Sequence, residues 1–272
     1  MIENNFKENG ILILNEIFKD HELDEITSTI DKNRHLLDNN IIEVGGLDSI
    51  GLIEKIFNTK IRALINSLLP YGVLWHCQFR NTPSGNTKPH FAPNTEMGTW
   101  HKDREFDYKH ERIDFLDIMI YLNDVGENDG AFAFLPKRPD KNISNSESGC
   151  FIYGKRGTVI ASRIDWYHSA TSNRGNIDRN ILRLSLQHNA FDNPILNSND
   201  YLKLAKKYCD KDEFLNFLFG GNRSWTKKVC QPSVNYEKLD FIVPTVNKKI
   251  KLPFKVKLRR NVNNLKKILK FR

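Results

Sequence analysis

The sequence predicts a mainly β protein, an antiparallel sandwich or barrel with helices packed around it. Three observations support this. Between residues 72 and 188 run five short apolar or alternating segments, separated by clusters of Gly, Pro, Asn and Asp. Helical periodicity appears only before and after that region. With 272 residues, 39% of them apolar, the chain can bury one substantial core.

The elements follow in order. "NGILILNE" (9–16) reads as a short buried strand. Asp20 is placed as an N-cap, with Glu22, Asp24 and Glu25 in a first helical turn whose dipole favours acids. Leu23, Ile26 and Ile30 keep helical spacing behind it. One further helix is expected over 52–69, where Ile53, Ile56, Phe57, Ile61, Leu64, Ile65 and Leu68 form an apolar stripe that Pro70 ends. The strands are "GVLWHCQFR" (72–80), "DFLDIMIYL" (114–122), "GAFAFLP" (130–136), "GTVIASRI" (157–164) and "NILRLSLQH" (180–188). Helical spacing returns over 199–219 and stops at Gly220-Gly221. No internal repeat is present.

The net charge of +8 conceals an uneven distribution. Asp240 is the last acidic residue, and residues 248–272 hold eleven Lys or Arg, so the rest of the chain carries −3. The expected division is a folded domain over 1–240 and a basic tail over 241–272. In the tail Leu258, Val262, Leu265 and Leu269 fall on one side of a helix, the pattern of a segment that lies on an anionic membrane surface. Nucleic acid is disfavoured as a partner, because the body is acidic and shows no nucleic-acid module. No apolar run is long enough to span a bilayer, and "MIENNFKENG" lacks the pattern of a secretory signal. The four cysteines are scattered and read as reduced thiols. The expected location is the cytoplasm, with the tail reaching the inner face of the cytoplasmic membrane.

"GTWHKDREF" (98–106) puts His101 and Asp103 two positions apart. Alone this means little: the chain has eight histidines and about one acidic residue in eight, so one such pair is expected by chance. Some 65 residues later, however, "IDWYHSATSNRGNIDRNILRLSLQ" (164–187) presents His168 at the end of another strand. Two imidazoles and one carboxylate on one face of an ion are the ligand set of non-haem Fe(II) oxygenases, which leaves adjacent coordination positions open. Arg179 lies eleven residues after His168, and a guanidinium offers paired donors that match a carboxylate. Arg183, on the same strand, has the same chemistry.

In these motifs the sequence resembles the phytanoyl-CoA dioxygenase-like family of Fe(II)/2-oxoglutarate oxygenases. The matching features, in order, are the block "NGILILNEIFKDHELDEI", "TWHKD", the strand entry "ENDGAFAFLP", and the H-x₄-N-x₅-R series His168, Asn173 and Arg179. They cover roughly residues 1–190. The resemblance implies a double-stranded β-helix, the jelly-roll or cupin-like barrel. It implies Fe(II) held by His101, Asp103 and His168, with 2-oxoglutarate as cosubstrate anchored by Arg179 and with Gln78, in "QFRNT", aimed at it. It also implies oxidation of an unactivated C–H bond. Halogenating relatives replace the carboxylate by a small residue, so Asp103 favours hydroxylation. The sequence departs from the pattern at Ala170, where a hydroxylated residue is common, and at "PKRP" (136–139) in place of "P-G-S-H". Substrate is therefore not carried over. A small molecule, a lipid or a lipid-linked glycan is expected, with Trp100, His90 and His110 near it. His76 and His188 read as packed strand residues. The reading from another class is a catalytically silent barrel serving as a membrane-surface binding or scaffold protein, and the intact triad opposes it.

Overall fold

A computed structural model describes residues 2–86, 100–103, 113–136, 148–189, 193–221, 241–242 and 248–249. The helices are α1 (Ile2–Asn9), α2 (Asp20–Lys32), α3 (Val44–Ser49), α4 (Ile53–Ile56), α5 (Thr59–Leu68), α6 (Asn199–Tyr208) and α7 (Glu213–Leu218). The strands are β1 (Ile11–Leu14), β2 (Ile41–Ile42), β3 (Gly72–Thr82), β4 (Phe115–Tyr121), β5 (Phe132–Phe134), β6 (Ser148–Ile152), β7 (Val159–Ser162), β8 (His168–Ala170), β9 (Arg179–His188), β10 (Phe241–Ile242) and β11 (Lys248–Lys249). They form two antiparallel sheets. The larger has the order β10-β1-β7-β4-β9-β3-β2 and the smaller β11-β6-β5-β8.

Strand alternation sorts side chains between two layers of core. On the outer face of the large sheet Leu12, Leu74, Cys77, Phe79, Leu116, Ile118, Leu182 and Leu184 meet the apolar faces of the helices, among them Ile26 and Ile30 of α2 and Ile61 and Leu64 of α5. The inner face brings Ile11, Ile13, Met119, Tyr121, Ile160 and Ile181 against Phe132, Phe134, Cys150 and Ile152 of the small sheet. Every residue of β4 is buried for this reason. Each such Leu, Ile or Phe contributes about 1.5–3 kcal/mol by leaving water. The Tyr121 hydroxyl ties the sheets together, donating to the Ile152 carbonyl at 2.8 Å and accepting from the Phe132 amide. This is the expected jelly roll with flanking helices.

Three local expectations change. The helix over 52–69 is two helices, broken at Phe57-Asn58, because the Asn58 side chain accepts from the Ile61 amide at 3.0 Å and starts α5 anew. The α2 N-cap is Lys19, one residue before Asp20. Glu22 serves that end instead, its carboxylate accepting from the Lys19 amide at 2.7 Å. The sheets also extend past residue 240. Phe241 and Ile242 pair with Leu14 and Ile13, and Lys248 and Lys249 pair with Gly149 and Ser148. The first part of the segment read as a tail thus supplies sheet edges, and 250–272 lies outside the described residues.

One irregularity matters for the site. β3 and β9 pair from Gly72↔His188 to Thr82↔Arg179, with a bulge between Leu74 and His76. Leu74 faces the helices, and two-residue alternation would have sent His76, Gln78 and Arg80 the same way. The extra residue, Trp75, reverses the parity, so Cys77 and Phe79 enter the outer core and His76, Gln78, Arg80 and Thr82 turn inward.

Candidate metal centre

The H-x-D spacing has a simple structural reason. Residues 101–103 run antiparallel to 164–168: the His101 amide donates to the His168 carbonyl at 3.1 Å, and the His168 amide donates back at 3.0 Å. The Asp103 amide donates to the Ile164 carbonyl at 2.8 Å. In extended chain, positions 101 and 103 share a face, while Lys102 turns away over the Tyr167 ring. His101 and His168 face each other across this bridge, with ring centroids 4.4 Å apart.

The donor atoms of His101, Asp103 and His168 lie within 4.8 Å of one another. Asp103 Oδ1 is 3.5 Å from His101 Nε2 and 3.7 Å from His168 Nε2. A metal that takes nitrogen and oxygen donors at about 2.0–2.2 Å fits between groups so spaced. The supporting contacts agree. His168 Nδ1 lies 3.0 Å from the Trp166 carbonyl, an acceptor that fixes the proton on Nδ1 and leaves Nε2 as the donor to an ion. Trp166 is itself seated against Gly10, where an added Cβ would come within 2.4 Å of the indole and where φ is +70°.

The other oxygen of Asp103 is taken: Oδ2 accepts from Arg183 Nη2 at 2.9 Å. Arg183 Nε also donates to both oxygens of buried Asp117, at 2.9 and 3.1 Å, and Asp117 accepts from the Ser185 hydroxyl. Burial works against the Asp103 charge. The His168 hydrogen bond and the nearby charges of His168, Arg183 and His101 outweigh it and hold the carboxyl well below the usual carboxylate range. Arg183 thus already donates to two carboxylates, through Nε and Nη2.

Arg179 stands differently. Opposite Thr82 in the sheet, it donates to the Thr82 hydroxyl at 3.0 Å and to the Gly130 carbonyl, and its Nε has no partner among the described residues. No carboxylate among the described residues pairs with it, and burial lowers its pKa from the ordinary arginine value. Asn173, fully buried, donates to the Thr82 and Ile177 carbonyls and shapes the loop from which β9 starts.

The triad, Arg179 and Arg183 line one cavity of about 480 Å³, within the usual size of small-molecule sites, about 300–1,000 Å³. Its apolar wall is Met119, Phe132 and Ile181, and its rim carries Asn39, Asn40, Arg80 and Asn86. Two residues expected near the chemistry stand apart from it. Gln78 does not line the cavity: its amide donates to Glu43 at 2.6 Å and accepts from Arg80 at 2.9 Å. Trp100, 1% exposed, packs with Ala133 and Leu135 behind the site. His90 and His110 lie outside the described residues. Asp117 and Arg80 went unnoticed in the sequence, although an acid inside "DFLDIMIYL" is a strong sign of a buried partner.

No family model matches the sequence, and no curated protein sequence matches it. Solved structures do. The iron-bound HygX from Streptomyces hygroscopicus aligns with a TM-score of 0.54 at 13% identity, over 70% of this chain and 87% of that one. The non-heme alpha ketoglutarate dependent epimerase SnoN from nogalamycin biosynthesis gives 0.53 at 14%, over 68% and 81%. EctD from S. alaskensis, solved with 2-oxoglutarate and 5-hydroxyectoine, gives 0.54 at 15%, over 70% and 76%. At such identities the likeness establishes the fold. The chain is a cupin-like jelly roll that brings two histidines and one carboxylate together inside its cavity.

Proposed function

We propose that this protein is an Fe(II)- and 2-oxoglutarate-dependent oxygenase that hydroxylates a C–H bond of a small-molecule, lipid or lipid-linked glycan substrate. The observation that carries this reading is the His101–Asp103–His168 cluster sharing a cavity with Arg179, a buried guanidinium that has no counter-charge among the described residues. That the neighbouring structures include iron-bound and 2-oxoglutarate-bound proteins supports it. His101 and His168 would hold the iron through Nε2 and Asp103 through Oδ1. Iron so held supplies the activation of O₂, with 2-oxoglutarate converted to succinate and CO₂ as the coupled two-electron oxidation. The chain's own task is geometric. Arg183 fixes Asp103, Arg179 receives the distal carboxylate of 2-oxoglutarate, and Met119, Phe132 and Ile181 keep water from the reacting carbon. Because Asp103 fills the carboxylate position, no ligand site is left for halide, and hydroxylation is the outcome favoured. The basic segment 250–272 is proposed to bring the enzyme to an anionic membrane surface. No helix among the described residues is long and apolar enough to cross a membrane.

The test is metal content and cosubstrate turnover together. His101→Ala and His168→Ala should each lose stoichiometric Fe(II) and all succinate formation from 2-oxoglutarate. If either variant retains both, that residue is not a ligand and the reading is wrong.

A further inference from the structure

Among the described residues the cavity holds one more cation than the proposed chemistry uses. Three of their guanidinium groups line it, those of Arg80, Arg179 and Arg183, facing two carboxylates, Asp103 and Asp117. Both carboxylates are hydrogen-bonded to Arg183. A divalent ion would add two charges and 2-oxoglutarate would remove two, its distal carboxylate on Arg179, so one positive charge remains. It sits on Arg80.

Arg80 is also built to receive something. The bulge in β3 turns it inward, and its Nε donates to Gln78 Oε1 at 2.9 Å. Gln78 is held in turn by Glu43 at 2.6 Å. This clamp uses one edge of the guanidinium. Neither Nη nitrogen has a protein acceptor among the described residues, and the group lines the cavity. Glu43 holds Gln78 and its charge also favours the Arg80 cation, but it is exposed and does not line the cavity. Arg80 is two positions from Thr82, the partner of Arg179, on the same face of β3. The two side chains therefore leave the sheet about 7 Å apart along the strand, and Arg179 is held by Thr82 and Gly130 at its own position. Asn39 and Asn40, held in the left-handed region at φ 48° and 66°, stand beside Arg80 at the rim.

We propose that Arg80 is a specificity-determining residue that binds an oxyanion, a carboxylate or a phosphate, carried by the substrate. The inference rests on the oxygenase reading of the same cavity, and it narrows the substrate class to anionic molecules. Gln78 is then a positioning residue, acting on substrate through Arg80.

Titration calorimetry on full-length protein loaded with Ni(II) and 2-oxoglutarate tests this, with inorganic phosphate and acetate as the probes. The wild type should bind at least one of them saturably without displacing 2-oxoglutarate. Arg80→Gln should weaken that binding at least about tenfold, the loss expected for a hydrogen bond to a charged group. It should leave nickel stoichiometry and 2-oxoglutarate affinity unchanged. Preference for phosphate or for acetate identifies which oxyanion the substrate bears. Arg80→Met, of similar length, repeats the measurement if the glutamine variant does not fold. The proposal is overturned if the wild type binds neither anion, if the variants bind as the wild type does, or if they lose 2-oxoglutarate instead. Failure of the wild type to take up nickel and 2-oxoglutarate would count against the oxygenase reading, not this one. The anions are then titrated into the unloaded chain, where Arg80-independent binding still refutes the proposal.

Discussion

Arg183→Met separates two roles that the sequence could not distinguish, fixing a metal ligand and anchoring a cosubstrate. Methionine has a similar length and fills much of the same space, so the change removes charge and hydrogen bonds more than volume. In the wild type Arg183 donates to Asp103 at 2.9 Å and to Asp117 at 2.9 and 3.1 Å. Its side chain is 16% exposed and that of Asp117 only 4%. Removing one partner of a buried ion pair costs about 3–5 kcal/mol, because the remaining charge is left without compensation. Asp117 keeps its Ser185 hydrogen bond, and Asp103 turns to water or protonates, so the lower half of that range is expected for the metal-free protein. For a domain of this size 1 kcal/mol is worth about 2–4 °C, so Tm should fall by roughly 6–15 °C in a metal-free thermal melt. In an anaerobic titration of the metal-loaded variant, 2-oxoglutarate affinity should stay within about threefold of the wild type, below one lost charged hydrogen bond. An unchanged Tm together with a tenfold loss of 2-oxoglutarate affinity would show that Arg183 is the anchor and that its bonds to Asp103 and Asp117 contribute little.

Arg179→Ala should do the opposite. It should weaken 2-oxoglutarate binding at least tenfold, from a loss of about 2–5 kcal/mol, with Fe(II) binding nearly intact, and unaltered cosubstrate affinity would remove Arg179 from the site. His76 sets an acid dependence of stability. Burial first, then the charges of Arg183 and Arg80, lower its pKa from 6.5 to about 4, so between those values the unfolded chain binds more protons. Stability should therefore decline as pH falls through that window, by at most about 3 kcal/mol, and His76→Phe should flatten this part of a denaturant-versus-pH series. A chain truncated after Lys249 keeps both edge strands, β10 and β11. It should lose co-sedimentation with anionic vesicles while keeping iron content, and equal sedimentation of both forms would exclude residues 250–272 as the anchor.

Much of the site was legible because strand geometry writes itself into spacing. His101 and Asp103 are two apart because extended chain puts alternate residues on one face, and His168, read as the end of a strand, in fact opens β8 and still meets them. The fold class was legible for a related reason: short apolar runs between turn residues have few other solutions. What spacing does not encode is pairing. Nothing in "TWHKD" says that it lies along Ile164–His168, and nothing in "NILRLSLQH" says that Arg183 meets Asp117 on a strand 66 residues away. The bulge at Trp75 was the most consequential omission. A strict two-residue alternation from Leu74 places Gln78 and Arg80 outside the barrel, and a single extra residue brings them in. The break at Asn58 and the edge strands beyond Asp240 were missed for similar reasons. One is a local side-chain cap, the other a partnership between the ends of the chain. The resemblance to phytanoyl-CoA dioxygenase-like proteins remains one of motif order.

The placement of the ligands has a consequence for how metal and fold depend on each other. His101 and Asp103 belong to a segment whose backbone hydrogen bonds reach across to Ile164 and His168, so docking of that segment brings the ligand set together. His168 is oriented by the Trp166 carbonyl, and Trp166 is seated against Gly10, the residue that leads into β1. Two stretches of chain distant in sequence thus meet at the ligand cluster, and a third backs it through Trp166. An ion that binds there binds the native state and not the unfolded chain, and stabilises it by RT ln(1 + [L]/Kd), about 2.7 kcal/mol when the free ion is at a hundred times Kd. The Arg183–Asp103 bond holds half of this arrangement together before any ion arrives, since it fixes the carboxylate through Oδ2 and leaves Oδ1 toward the imidazoles. The carboxylate and His168 are each fixed by protein contacts, and the paired backbone bonds between His101 and His168 set the second imidazole against them, so the chain's own hydrogen bonds preorganise all three ligands.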